Sequence, residues 1–414
     1  METSVFFAKK VSESDAYEVL LATKGLQAEQ IEKLPLVVSS ADIADSIETG
    51  FAFFNQKSDL KARFANSTEA LAHSFVVYRG VETRDNEKYL AAERLTSDYR
   101  PILMGVDIDR YMCEWSDTYV KFVPKELKSN ADILMYEVPE KVLLRRTGSQ
   151  LIAGLDIQGL LAIKNLYVII PKQKLSARFL LSLLNSDLLN RYNQAVLGNA
   201  GDAFAQLKKT DIEDLPIRRI SFTTREDERT RCFEKAKSLY DHCISKGDQA
   251  CVLGFVDHHL SKEPGESDIV HDLLAFLAEE MIHLNKEKCA TQREFLDWLV
   301  TSLNILPDKE SRKGIDVLMG KAKLADYTGD YQKGEPPLAA EELLEMLRKN
   351  KNRLGVSLSD AGLVERIKRM YGESLRRVLP LKERLARTDA LIDQVVYRLY
   401  GLTEEEIAVV EGKG

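Results

Sequence analysis

Basic side chains are concentrated between positions 141 and 219, and their chemistry is that of anion binding. This stretch holds twelve Lys and Arg against six Asp and Glu, in a chain whose formal net charge is −7. A basic region in an acidic chain is typical of a polyanion site. Arg145 and Arg146 follow an apolar run, so the pattern predicts that a strand presents them. The alternative is that these two arginines only solvate a strand edge.

A polar loop earlier in the chain carries side chains of a second useful kind. Gly80–Glu87 separates two segments of strand composition and has turn residues at Gly80 and Asp85. Its Thr83, Arg84 and Asn86 can hydrogen-bond base edges and phosphates, and a strand–loop–strand unit can place them at a groove. An ordinary solvated hairpin loop is the alternative.

Motifs for catalysis are missing from this sequence. It has no H-E-x-x-H, no G-x-S-x-G and no phosphate-binding G-x-x-x-x-G-K-[ST] motif. The six histidines lack metal-ligand spacing. An adenine-N6 methyltransferase needs a Gly-rich loop and an [N/D/S]-P-P-[Y/F/W] tetrapeptide, whereas the only Pro-Pro lies in Glu335–Leu338. We therefore expect neither a metal nor a cofactor in this chain.

Composition places the chain among globular proteins of the cytoplasm. A length of 414 residues with 44% hydrophobic residues suits two or three domains with real cores. No apolar run approaches the roughly 20 residues that cross a bilayer, so we expect no membrane association. The N-terminus lacks the pattern of a secretory signal. Five cysteines without a C-x-x-C indicate reduced thiols.

The hydrophobic pattern predicts an α+β protein, with a mixed α/β region followed by an all-helical one. Leu151–Leu155 and Leu160–Ile163 flank Asp156–Gly159, which we interpret as a hairpin turn. Ser176 is the predicted N-cap of a helix that runs to about Val196. Further strands are predicted at His73–Arg79, Lys88–Ala92, Leu143–Arg146 and Leu166–Ile170.

From Ser221 onward the pattern is that of amphipathic helices. A long helix is predicted to open at Asp268, which would be its N-cap, and to continue past Thr291. Two further helices are predicted at Leu363–Leu379 and Leu385–Tyr400. We therefore divide the chain into residues 1–34, 35–220 and 221–414.

The N-terminal part combines a short strand with a helical pattern. Val5–Lys10 has strand composition, Asp15–Leu34 has helical spacing, and Asp42–Phe54 is a predicted helix. No partner strand is expected close in sequence. The first strand is therefore interpreted as the last strand of a sheet whose remainder lies on another polypeptide, with a small edge strand as the alternative.

Six blocks of this sequence resemble one known family. They are Phe75–Leu90, Arg100–Tyr111, Glu140–Gly148, Leu166–Pro171, Leu181–Tyr192 and Phe204–Pro216. In this order they resemble the TaqI-like C-terminal specificity (target-recognition) domain of adenine-N6 DNA methyltransferases and type IIG restriction–modification enzymes. Arg84 departs from the pattern, because that loop often has glycine at this position. Thr388–Glu406 also resembles the helix that closes such enzymes.

The resemblance implies a DNA-binding specificity module of a restriction–modification system. It would recognise double-stranded DNA and direct adenine-specific methylation, with or without cleavage, by an adenine methyltransferase subunit or domain that binds S-adenosylmethionine. Residues 1–34 would then be a remnant of the methyltransferase sheet edge plus a helix. The predicted DNA-binding residues are Thr83, Arg84, Asn86, Lys141, Arg145, Arg146, Lys164, Asn165, Asn199, Lys208 and Lys209.

Two other functions stay open at this point. The chain could be a protein-interaction scaffold without DNA binding, which its acidic helical region would suit. It could also be a stand-alone S-adenosylmethionine-dependent DNA methyltransferase with an unrecognised site. The missing motifs argue against the second alternative, so whether this chain is itself an enzyme is left undecided.

Overall fold

The computed structural model of the chain describes residues 63–172, 174–197, 206–307 and 313–411, together with three strands nearer the N-terminus. The strands are β1 (Phe6–Lys10), β2 (Ala16–Leu21), β3 (Pro35–Ser39), β4 (Thr68–Ala70), β5 (Phe75–Arg79), β6 (Leu90–Ala91), β7 (Tyr99–Leu103), β8 (Ile108–Asp109), β9 (Met112–Cys113), β10 (Tyr119–Lys121), β11 (Lys141–Arg145), β12 (Ala153–Asp156), β13 (Leu161–Ala162), β14 (Leu166–Pro171) and β15 (Pro216–Arg218).

Helices occupy most of the second half of the chain. They are α1 (Leu71–Ser74), α2 (Asn86–Tyr89), α3 (Ala177–Asn185), α4 (Asp187–Leu197), α5 (Lys209–Glu213), α6 (Glu226–Lys246), α7 (Ala250–Leu260), α8 (Ser267–Leu303), α9 (Lys321–Ala325), α10 (Ala340–Lys349), α11 (Ala361–Tyr400) and α12 (Glu404–Val410). The predicted α+β class is confirmed. No helix of the described ranges is both long and apolar enough to cross a membrane.

The three N-terminal strands form one antiparallel sheet in the order β1-β2-β3. The helical prediction for Asp15–Leu34 is therefore wrong at Ala16–Leu21, which is β2. The expectation that the first strand has no nearby partner is wrong as well, because β1 pairs with β2. Short apolar runs do not separate helix from strand by periodicity. The predicted helix Asp42–Phe54 lies outside the described residues.

A four-stranded antiparallel sheet, in the order β12-β11-β14-β5, forms the centre of the front half. Successive side chains of a strand point to opposite faces. On β11, Val142 and Leu144 belong to one core cluster, which also contains α3, whereas Leu143 belongs to another. The sheet is therefore buried on both faces, with helices on one side and a second sheet on the other.

The second sheet has the order β13-β7-β10-β6, and β13 runs parallel to β7. The hairpin predicted at Asp156–Gly159 is wrong, because this turn leads from β12 in the central sheet to β13 in the second sheet. Asp156 organises the turn by accepting hydrogen bonds from the backbone nitrogens of Gln158 at 2.8 Å and Leu160 at 2.9 Å. Turn residues signal a change of direction without specifying which sheet the chain enters next.

Lys141 also contacts this turn and is buried in the core. Its Nζ donates to the Asp156 carboxylate and, at 2.7 Å, to the backbone oxygen of Tyr136, and its side chain is fully inaccessible. A lysine in this position cannot reach a phosphate. The prediction that Lys141 contacts DNA is therefore wrong for this structure, since the ammonium group already has its anion.

Capping explains where the helices begin and break. Ser176 is the N-cap of α3, and its hydroxyl accepts from the backbone nitrogen of Arg178 at 3.1 Å, as predicted. The predicted continuous helix to Val196 is interrupted at Ser186. The long helix α8 begins one residue before the predicted cap, at Ser267. Asp268 instead accepts hydrogen bonds from Thr224 at 2.9 and 2.8 Å.

One hydrophobic core cluster extends from Phe64 to Val410. It joins the helix-covered face of the central sheet to α8 and α11, which is a single helix across Pro380 rather than the two predicted helices. At the junction, the Tyr400 hydroxyl donates to the backbone oxygen of Pro216 at 2.8 Å. The division at residue 220 stays a prediction, while the apolar contacts extend across it.

A buried polar contact joins the two halves at a second place. Arg110, between β8 and β9, donates at 2.7 Å to both oxygens of Asp389 on α11, and both side chains are about one-tenth exposed. Arg110 also donates to the backbone oxygen of Asn185. Next to this pair, Asp393 accepts from the backbone nitrogen of Asp187 at 2.8 Å. Burial, then the carboxylates of Asp187 and Asp389, raise the pKa of Asp393 well above its usual value.

We expect Asp393→Asn to be more stable than the wild type at about pH 8, by more than the roughly 0.5 kcal/mol of a surface substitution, because the folded state disfavours the charged carboxylate. A carboxyl group whose pKa is higher in the folded state stabilises below its unfolded pKa, and this contribution is lost as pH rises through the folded value. The advantage of the variant should therefore shrink toward about pH 4. Denaturant unfolding across pH measures the difference.

The exposed carboxylate of Asp241 offers a matched control for that experiment. Asp241→Asn should change the free energy of unfolding little at any pH, since surface substitutions usually stay within about 0.5 kcal/mol. An Asp393→Asn effect that is the same at all pH values would contradict the raised pKa.

Candidate nucleic-acid interface

Cationic side chains meet at one end of the central sheet because of its antiparallel topology. Strands β5 and β11 end there with Arg79 and Arg145, and β14 begins there. Arg79 pairs with Tyr167, and Arg145 pairs with Leu166. We call this end the basic edge and define it by Arg79, Arg145, Arg146, Lys164 and Asn165.

Backbone hydrogen bonds fix the geometry of the basic edge. The nitrogen of Arg146 donates to the oxygen of Asn165 at 3.0 Å, and the Nε of Arg79 donates to the oxygen of Lys164 at 3.1 Å. Gly80 follows β5 where the chains approach closely. A Cβ atom at this position would lie 2.2 Å from the backbone oxygen of Ile163, so only glycine fits.

The guanidinium groups of the basic edge have no anionic partner within the described part of the chain. Arg145 and Arg146 form no ion pair there, and each has a buried Nε without a hydrogen-bond acceptor. Arg146 donates through Nη2 to Gln206 at 3.0 Å. Burial raises the pKa of the Tyr167 hydroxyl, and the nearby Arg146 and Arg79 oppose this rise. Among the described residues, the three arginines of the edge therefore carry positive charge that no acid pairs with.

Arg145 and Arg146 leave the strand on opposite faces. Arg145 continues the side of Leu143, which faces the second sheet, and Arg146 continues the side of Leu144, which faces the helices. The two guanidinium groups therefore flank the end of β11 instead of pointing in one direction. An anion lying across the strand end could meet both.

The charge of Lys164 is partly neutralised by Glu82, which was not among the predicted site residues. Its Nζ lies 3.4 Å from Oε1 of Glu82, which also binds Lys128 at 3.0 Å. The hydrogen bond from Lys128, opposed by burial and assisted by Lys164, lowers the pKa of Glu82. Two lysines thus share one carboxylate, which leaves a net positive charge beside Asn165.

Lys208 is brought next to the basic edge by a short backbone pairing. The nitrogen of Leu207 donates to the oxygen of Arg146 at 2.9 Å, and Thr147 pairs with Gln206. Lys208 is exposed and has no ion pair within the described ranges. Lys209 is also exposed, but it lies 3.3 Å from Glu213 one turn along α5.

The loop after Gly80 separates its predicted residues into two groups. Arg84 and Asn86 are exposed, and Arg84 forms no ion pair with any described residue. Thr83 is 4% exposed, and its hydroxyl donates to the side-chain oxygen of Asn86. Thr83 therefore supports the loop, and its predicted role as a DNA contact does not fit this position. Part of the predicted strand at Lys88–Ala92 is helix, since α2 extends to Tyr89.

The structure does not place two of the predicted DNA-binding residues at the basic edge, and it adds two residues that were not predicted. Asn199 lies outside the described residues, and Lys141 is buried. Arg79 belongs to the edge, and Gln206 accepts a hydrogen bond from it, but neither residue was predicted. Arg79 ends a predicted strand just before a glycine turn, which was a usable signal. Gln206 carries none. In the described ranges, no group of His, Cys, Asp or Glu is arranged to hold a metal ion.

Comparison with known proteins assigns the region that carries this edge. Residues 100–217 match the family model of the TaqI-like C-terminal specificity domain. The predicted resemblance is thereby confirmed for these residues. The matched residues include most of the basic edge, whereas Arg79 and the Gly80–Glu87 loop precede the match. No curated protein shows significant sequence similarity to the chain.

Solved structures with weak similarity include two restriction enzymes. The type IIG restriction endonuclease BpuSI is 10% identical, with a TM-score of 0.29, over 48% of this chain and 30% of its own. The type IIL restriction–modification enzyme MmeI, solved in complex with DNA, is 11% identical, with a TM-score of 0.24, over 50% and 32%. The chain thus spans about a third of the length of each. TM-scores of this size transfer no structural detail.

Proposed function

We propose that this chain recognises duplex DNA as the specificity component of a restriction–modification system. The observation that carries the proposal is the absence, among the described residues, of an acidic partner for the edge arginines. Two of them, Arg145 and Arg146, lie within the region that matches the specificity-domain family. Phosphate contacts from Lys and Arg supply affinity and orientation, while side chains at base edges supply sequence selectivity. Arg145, Arg146 and Lys208 are the cations best placed for this role, with Arg79 and Lys164 beside them.

The reaction would be performed by another domain or subunit. This sequence lacks the Gly-rich loop and the catalytic tetrapeptide of adenine-N6 methyltransferases. In the proposal, a methyltransferase partner binds S-adenosylmethionine and methylates adenine-N6, and this chain chooses the site. A methyltransferase encoded beside this chain is the partner to test.

We expect Arg145→Ala/Arg146→Ala to weaken duplex binding by about 10- to 100-fold at roughly 100 mM salt, because two cationic contacts are lost. Fluorescence anisotropy with a random-sequence duplex measures binding across salt concentrations. The slope of log K against log salt should fall by about 0.9 for each phosphate contact removed. A charge-conserving Arg145→Lys/Arg146→Lys variant should keep that slope, because lysine also contacts phosphate.

A matched control uses two arginines on α11. Arg366 and Arg369 are exposed and form no ion pair with any described residue, so Arg366→Ala/Arg369→Ala changes the net charge equally. This control should retain binding. Absence of duplex binding by the wild type at about 50 mM salt, alone and with the methyltransferase, would refute the proposal. Equal losses of duplex affinity in both double variants would show that the basic edge is not the DNA-binding surface.

A further inference from the structure

A short turn beside the basic edge presents an apolar side chain to solvent. Gly105–Asp107 forms a single 3₁₀ turn, and Val106 at its centre is 81% exposed. A single exposed valine is common on protein surfaces and by itself indicates no function. The position and the rigidity of this one carry the inference.

The turn touches the basic edge directly. A Cβ atom on Gly105 would lie 2.8 Å from Nδ2 of Asn165, so the Asn165 amide packs on the backbone of Gly105. The nitrogen of Ile163 donates to the oxygen of Leu103 at 3.0 Å, which holds the two segments side by side. Val106 therefore lies one residue from the contact with Asn165. The backbone oxygen of Asn165 accepts the hydrogen bond from the backbone nitrogen of Arg146.

The backbone that carries Val106 is fixed on both sides. Asp107 is 5% exposed, and its Oδ2 accepts from the backbone nitrogen of Met104 at 2.7 Å. Its backbone oxygen accepts from the nitrogen of Glu114 at 2.8 Å. A rigid apolar group next to a cationic edge suits a surface that presents both phosphates and methyl groups. In duplex DNA that surface is the major groove, where thymine exposes its 5-methyl group.

We propose that Val106 contacts the 5-methyl group of a thymine and so contributes to sequence selectivity. This inference rests on the proposed DNA-binding function. Removing one buried methyl group should cost about three- to fivefold in affinity. The contact requires both the valine side chain and the thymine methyl group, so losing either should have the same effect.

The experiment begins with a duplex selected from a random pool by the wild-type chain. Each thymine is replaced in turn by deoxyuridine, which removes only the methyl group. We expect one of these replacements to weaken wild-type binding about three- to fivefold. Val106→Ala should weaken binding to the unmodified duplex by a similar factor. Val106→Ala should then bind the deoxyuridine duplex no more weakly than it binds the unmodified one. Leu134→Ala is the control. Leu134 is 71% exposed on a 3₁₀ turn near the opposite end of β11.

The outcomes separate this inference from the proposed function. If the wild type binds no duplex, both the proposed function and this inference are overturned. If the wild type binds and depends on Arg145 and Arg146, but every deoxyuridine is neutral, only the inference is overturned. Additive losses, or a Val106→Ala effect no larger than that of Leu134→Ala, overturn it as well.

Discussion

Replacing Lys141 by methionine should destabilise the protein by about 3–5 kcal/mol, because Asp156 is then left in the core without its counter-charge. Both side chains are almost completely inaccessible, at 0% and 1%. Among the described residues, the Asp156 carboxylate would keep only the turn nitrogens of Gln158 and Leu160 as partners. Denaturant unfolding at neutral pH measures the loss.

A second substitution distinguishes charge from packing in this pair. Lys141→Met/Asp156→Asn removes the buried charge altogether and should recover part of the lost stability. Lys209→Met is the control, since the Lys209–Glu213 pair is exposed and such pairs contribute about 0–1 kcal/mol. A loss below about 1 kcal/mol in Lys141→Met would show that Asp156 finds solvent or another cation.

Arg110→Met should have a comparable effect of about 3–5 kcal/mol at neutral pH, for a related reason. The substitution leaves Asp389 and Asp393 close together without the guanidinium group that balances them. Burial already raises the pKa of Asp389, and Arg110 is the main group opposing that rise. Without Arg110 the pKa of Asp389 should rise further, so its protonated form predominates over a wider pH range.

The pH dependence of that loss provides the check. A raised folded-state pKa gives a contribution that is present at low pH and lost as pH rises. The destabilisation by Arg110→Met should therefore be larger at about pH 8 than at about pH 5. Arg377→Met is the control, because Arg377 and Glu294 are both 60% exposed. A pH-independent loss would indicate that packing around the arginine stem, and not its charge, stabilises this contact.

The residues of the basic edge could be predicted from sequence better than their arrangement. Arg145, Arg146, Lys164 and Asn165 were predicted separately, and the antiparallel order of β5, β14 and β11 brings them together. Strand ends rich in Lys and Arg were visible in the sequence. Which strands pair was not, because pairing depends on contacts between residues distant in the chain.

Lys141 shows why a count of charges fails at the level of single residues. Its acidic partner, Asp156, is fifteen residues away, and in the sequence it has the residue type and position of an ordinary turn residue. The same misreading produced the hairpin prediction, since the turn chemistry of Asp156–Gly159 is the same whether the chain returns to its neighbour or changes sheet. Glu82 was missed for a similar reason, because its partners, Lys128 and Lys164, are distant from it in the sequence.

The continuous core from Phe64 to Val410 has a consequence for transplanting the front half of this chain into another protein. Cutting the chain after residue 220 would uncover the apolar face that α8 and α11 now cover, and both fragments would tend to aggregate. Exchange of the whole unit would therefore have to include the long helices. Redesign confined to exposed loop positions, such as Val106, Arg84 and Asn86, would leave that shared interior untouched.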